Sequence, residues 1–154
     1  MTKNNSIRGK KARAAGGRFE LKVRQHLEEL GWIIGKWMNT VDQDKNGKIG
    51  KLVPAKRKYN PFLKALGIGV GFPDFVAFKR NENGSYEVIG VEVKSNGYLD
   101  KIEKGMCYWL LENKIFSRIL IAKALKKGRK LEIEYYDFGK KYIKEDNDQY
   151  ENDY

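Results

Sequence analysis

The stretch Pro73–Gly97, PDFVAFKRNENGSYEVIGVEVKSNG, decides the fold. PDFVAFKR and YEVIGVEVK are rich in β-branched and aromatic residues and flank a glycine-containing turn, which predicts two paired strands. Successive strand side chains point to opposite faces, so Glu92 and Lys94 share one face, roughly 7 Å apart. Two charges on one face of a core strand cost free energy unless something there uses them.

The turn decides whether Asp74 joins them. A two-residue Asn83-Gly84 turn pairs Asp74 with Val93 and directs its side chain away from Glu92. A three-residue loop, Glu82-Asn83-Gly84, with glycine in the left-handed conformation, is also common. It pairs Asn81 with Ser85 and sets Asp74 opposite Glu92, about 5 Å apart on one face. Both registers fit the local sequence. In the second, two carboxylates repel unless a proton or a cation sits between them. Their oxygens suit a hard divalent ion such as Mg²⁺ or Mn²⁺. Such an ion polarises a phosphate and lowers the pKa of a bound water, and Lys94 can orient that water or offset charge building on phosphorus.

Around this hairpin the chain organises as one domain. Its 154 residues suffice for a single core. Residues 1–17 read as a flexible basic arm broken at Gly16-Gly17, and Phe19, Val23, Leu27 and Leu30 predict a helix over roughly 18–30, stopped by Gly31. Trp32 to Met38 reads as a strand. Residues 40–71 form a long lysine-rich loop or insertion, with a helical turn expected after Asn60-Pro61. Leu99 to Asn113 reads as a helix with Ile102, Met106, Trp109 and Leu110 on one side. FSRILIAKA and KLEIEYYDF supply two more strands, the domain ends near 143, and residues 144–154 are an acidic tail.

The formal net charge of +11 favours a polyanionic partner, nucleic acid before an anionic membrane surface. Arg8, Lys10, Lys11, Arg13 and Arg18 crowd the arm, and Lys56, Arg57 and Lys58 interleave with aromatics in the long loop, a pattern suited to backbone phosphates. No stretch reaches membrane-spanning length, and no signal-peptide core opens the chain. The single cysteine, Cys107, excludes an internal disulfide framework, suits a reducing cytoplasmic setting, and falls in a helix where packing is its expected role.

Pro73-Asp74 followed by Glu92-Val93-Lys94 resembles the signature of the PD-(D/E)XK nuclease superfamily, which includes restriction endonucleases and archaeal-type Holliday junction resolvases. The resemblance spans Phe19 to Ala122. It implies a restriction-endonuclease-like α/β fold, a mixed sheet flanked by helices with an α-β-β-β-α-β core. It further implies Asp74 and Glu92 as metal ligands, the Val93 carbonyl as a third, and Lys94 as the catalytic lysine. Glu20 in GGRFELKV occupies the place of the first-helix glutamate that supports the metal site in many members; partnering nearby arginines is its other reading. Two departures stand out. NTVDQD lacks the serine of resolvase-like members, and DKIEKGMCYW offers Lys104 where many members have glutamine.

Other patterns are weaker. DQDKNGKIG fits the first half of an EF-hand loop, but its last position is Val53 rather than glutamate, so a hairpin tip is expected. GIGVG precedes a strand instead of opening a helix, unlike a phosphate-binding loop. His26, the only histidine, has no partners for zinc or a triad. The sequence therefore leads to a Mg²⁺- or Mn²⁺-dependent deoxyribonuclease acting on double-stranded DNA, with a homodimer as an expectation from the resemblance. The alternatives are a non-catalytic DNA-binding protein on the same fold, a structure-specific junction resolvase, and an RNA-processing enzyme.

Overall fold

The computed structural model describes residues 3–56, 59–61, 64–66 and 71–143. Arg57, Lys58, the turn expected after Pro61, and the acidic tail lie outside the described residues.

Helix α1 covers Lys3–Glu29 and leads into strand β1, Ile33–Lys36. Two hairpins follow, β2 (Asn39–Gln43) with β3 (Ile49–Pro54), and β4 (Tyr59–Asn60) with β5 (Ala65–Leu66). Then come β6 (Phe75–Arg80), β7 (Tyr86–Val93), helix α2 (Lys101–Glu112), β8 (Arg118–Lys127), β9 (Lys130–Asp137) and a π-helical turn at Gly139–Ile143.

Strands β1, β6, β7, β8 and β9 lie in that order in one mixed sheet. Every neighbouring pair is antiparallel except β7 and β8, whose parallel pairing requires the crossover that α2 provides. The molecule is thus α/β, with the order α-β-β-β-α-β-β once the two small hairpins are set aside.

Helix α1 covers one face of the sheet. Phe19, Val23 and Leu27 recur every fourth residue and pack with Ile34, Phe75, Ala77, Ile89 and Val91. Burying each of these three helix side chains stabilises the fold by roughly 1.5–3 kcal/mol. Gly31, at φ +90°, terminates the helix with a paired closure: its N–H donates to the Glu28 carbonyl and the Trp32 N–H to that of Leu27, both at 3.0 Å. On the opposite face Cys107 and Leu110 of α2 pack with Leu99, Phe116, Ile119, Ile121 and Phe138. Cys107 is a packing residue, as expected. Ile102, expected on the inward side of α2, is half exposed because the buried stripe runs through Cys107 and Leu110 instead.

Two sequence expectations change. The basic arm is helical: α1 continues without a break through Gly16 and Gly17, and residues 10–18 are all solvent-exposed. No side chain stands within 4 Å of a Cβ built at either glycine, so nothing there forces a turn. The long loop is also not structureless. Val41 of β2 is buried, and Ile49 and Leu52 of β3 pack against the α2 side of the core. The glycine at 105 permits this contact, since an added Cβ would lie 2.6 Å from the Ile49 Cδ1. The EF-hand-like residues form the tip of this hairpin, where Asp44 accepts the N–H groups of Asn46 and Lys48 at 2.8 Å.

Gly90 lets Pro73 and Phe116 close over the centre of β7; a Cβ there would meet Pro73 Cγ at 2.8 Å and the Phe116 ring at 3.1 Å. Gly90→Ala is expected to destabilise the protein by about 1–3 kcal/mol through overpacking, measured by denaturant unfolding.

Candidate active site

The β6–β7 hairpin has the three-residue loop. Arg80 faces Tyr86, and the Asn81 N–H donates to the Ser85 carbonyl at 2.7 Å. Gly84 adopts φ +85°, the left-handed conformation this loop needs. Asn83 fixes the turn by accepting the Ser85 N–H at 3.0 Å. Counting from Phe75 opposite Val91, Asp74 stands opposite Glu92.

The two carboxylates then cross between strands. Glu92 Oε2 accepts the Asp74 N–H at 3.0 Å, and Asp74 Oδ2 accepts the Val93 N–H at 2.9 Å. Both side chains are buried, with Asp74 9% and Glu92 5% exposed. Among the described residues, no backbone donor meets the second oxygen of either. Lys94 donates its own N–H to the Ala122 carbonyl across the parallel pair. Strand alternation therefore turns the Val93 N–H and carbonyl to the Asp74 side.

Burial raises the Asp74 pKa, opposed by the Val93 N–H and reinforced by the charge of Glu20. Burial also raises Glu92, with the Asp74 charge adding to it, to about 9 from an ordinary 4.5. At neutral pH the pair therefore retains a proton. Partial burial pulls Lys94 down, but its hydrogen bond to Glu103 and the charges of Glu92, Glu103 and Asp74 outweigh this, and its pKa is raised. Lys94 is an ammonium at the pair, with Nζ 3.7 Å from Glu92 Oε1.

The structure thus brings together Asp74, Glu92, Val93 and Lys94. Glu20 is not in the cluster: it forms an ion pair with Lys36 at 2.9 Å, and Lys36 lies over the Phe75 ring on the α1 face of the sheet. Glu20 acts on Asp74 only through its charge. Among the described residues no group of three or more His, Cys, Asp and Glu side chains has metal-holding geometry. Once the shared proton is given up, two carboxylates and a carbonyl make a hard oxygen donor set, and Mg²⁺ commonly takes one or two carboxylates and keeps several waters. The residues present fit such an ion.

Arg8, Lys10, Lys11, Arg13 and Arg18 are exposed on α1, and Lys56 is exposed after β3. His26 bonds the Tyr135 hydroxyl at 2.9 Å and stacks on that ring, a structural contact between α1 and β9. Lys104 lies over the Tyr142 ring at 4.9 Å. One neighbour was missed in the sequence: Glu103, which holds Lys94. Its signal is the D-x-x-E spacing of Asp100 and Glu103 ahead of an apolar helix, a capping box.

The raised Glu92 pKa predicts how stability depends on pH. Between 4.5 and about 9 the folded state holds a proton that the unfolded state has lost, so stability falls as pH rises through that window. Glu92→Gln removes this dependence. It is expected to melt above wild type at pH 8, with the gap closing near pH 5, in thermal unfolding across a pH series. Against known proteins, no family model matches the chain, and no curated protein or solved structure matches it either.

Proposed function

We propose that this protein is a metal-dependent DNA nuclease with a restriction-endonuclease-like fold. The observation that carries the reading is the meeting of Asp74 and Glu92 across one hairpin, with the Lys94 ammonium on the same face. The element order and the parallel β7–β8 pair joined by α2 support the fold assignment.

In this reading Asp74, Glu92 and the Val93 carbonyl hold Mg²⁺ or Mn²⁺. A bound divalent ion supplies Lewis-acid polarisation of the phosphate and a water of lowered pKa. The two carboxylates provide the negative charge that retains the ion, and they release their shared proton when it binds. Lys94, kept cationic, offsets charge that develops on the phosphate oxygens. The water oxygen bonds to phosphorus as a P–O bond breaks, leaving a 5′-phosphate and a 3′-hydroxyl, as the resemblance implies.

Double-stranded DNA is the partner in this reading, and the reducing cytoplasm its setting. The exposed cations of α1 carry no acid among them before Glu20, so they meet backbone phosphates without competition. A homodimer would present two such sites to the two strands. Among the described residues no helix is long and apolar enough to cross a membrane.

The decisive assay compares wild type with Asp74→Ala and Glu92→Ala on plasmid, linear and branched DNA and on RNA, with Mg²⁺ and with chelator. Cleavage of DNA by wild type alone, and only with metal, is expected; cleavage surviving both substitutions ends the assignment. Undiminished DNA binding without cleavage under any divalent ion would identify a binding protein instead. Changing Arg8, Lys10, Lys11 and Arg13 to glutamine together is expected to flatten the salt dependence of binding by about 3–4 in log–log slope, measured by fluorescence anisotropy.

A further inference from the structure

Resting on the nuclease reading, we infer that Glu103 is the positioning residue for Lys94, holding the catalytic ammonium with one carboxylate oxygen while the other closes the start of α2. The two roles fall on different atoms. Glu103 Oε1 accepts from Lys94 Nζ, and Glu103 Oε2 accepts the Asp100 N–H at 3.0 Å. The Asp100 side chain returns the contact by accepting the Glu103 N–H at 2.8 Å.

A lysine side chain has four rotatable bonds and loses much entropy when held in one place. Among the described residues Lys94 has one other anchor, Glu92 Oε1 at 3.7 Å, and in this reading that oxygen is needed for the metal. Without Glu103, occupation of the site would release the ammonium. With it, Lys94 stays tied to a helix fixed in the core through Leu99, Cys107 and Leu110. The Glu103 side chain is only 17% exposed, so its hold on Lys94 is shielded from water and competing ions.

A pure capping role makes a different prediction, because glutamine closes a capping box as well as glutamate does. Glu103→Gln keeps one acceptor oxygen for the Asp100 N–H, and the amide nitrogen that replaces the other oxygen cannot accept from Lys94. The variant is therefore expected to fold and melt like wild type, to bind DNA equally well, and to lose about 10–100-fold in kcat at unchanged KM. Asp100→Ala is the converse: it weakens the cap and lowers the melting temperature but leaves the Lys94–Glu103 pair, so kcat stays near wild type. Both are measured in steady state with Mg²⁺, beside Glu92→Gln as the inactive reference. Wild-type kcat in Glu103→Gln, or an equal kcat loss in Asp100→Ala, overturns the positioning role while the nuclease reading stands. Absence of cleavage by wild type overturns both.

Discussion

The open end of the β6–β7 pair depends on a reciprocal exchange between side chains and backbone. Where an antiparallel ladder would pair two peptide groups, Glu92 accepts the N–H of Asp74 and Asp74 accepts that of Val93. Each carboxylate thereby replaces a carbonyl acceptor, which satisfies donors that burial would otherwise leave costly. The same burial makes the second negative charge expensive, and the site keeps it only by sharing a proton or gathering cations. Structure and electrostatics here come from one arrangement: the hydrogen bonds that fix the strands also hold the acids close enough to repel.

This arrangement divides the charged groups by face. Asp74, Glu92, Lys94 and Glu103 belong to the α2 side, while Glu20 and Lys36 form their own pair on the α1 side, over Phe75. Helical spacing places Glu20 in line with Val23 and Leu27, but it says nothing about which face of the sheet the helix covers relative to Asp74. The face follows from strand parity, and parity follows from the turn.

Much of the frame could be read from residue patterns. The strand–turn–strand at 73–94, the helix behind Phe19, Val23 and Leu27, and the final strands all stand in the structure. The turn itself was ambiguous, since Asn83-Gly84 suits loops of two and of three residues; Asn83 bonding to Ser85 and the left-handed Gly84 select the longer one. Of the β2–β3 hairpin only the tip, DQDKNGKIG, is legible, because β2 is mostly polar and Ile49 of β3 finds its partner on α2, far along the chain. Gly16-Gly17 suggested a break from propensity alone, and the helix passes through both. The D-x-x-E spacing can mark Glu103 as a helix-starting residue, but its contact with Lys94 depends on how the loop after β7 folds back, which no local pattern encodes.

The way the β2–β3 hairpin is seated has a bearing on how such a protein can diversify. It is inserted in the chain between β1 and β6, and Ile49 rests in the notch left by Gly105 of α2. Val41 and Leu52 pack into the core beside it, and Thr40 Oγ1 meets Met106 Sδ at 3.8 Å. The ribbon can therefore vary in length and in the residues of its tip while the strands bearing Asp74 and Glu92 keep their register, so the surroundings of the site can be rebuilt without rebuilding its chemistry.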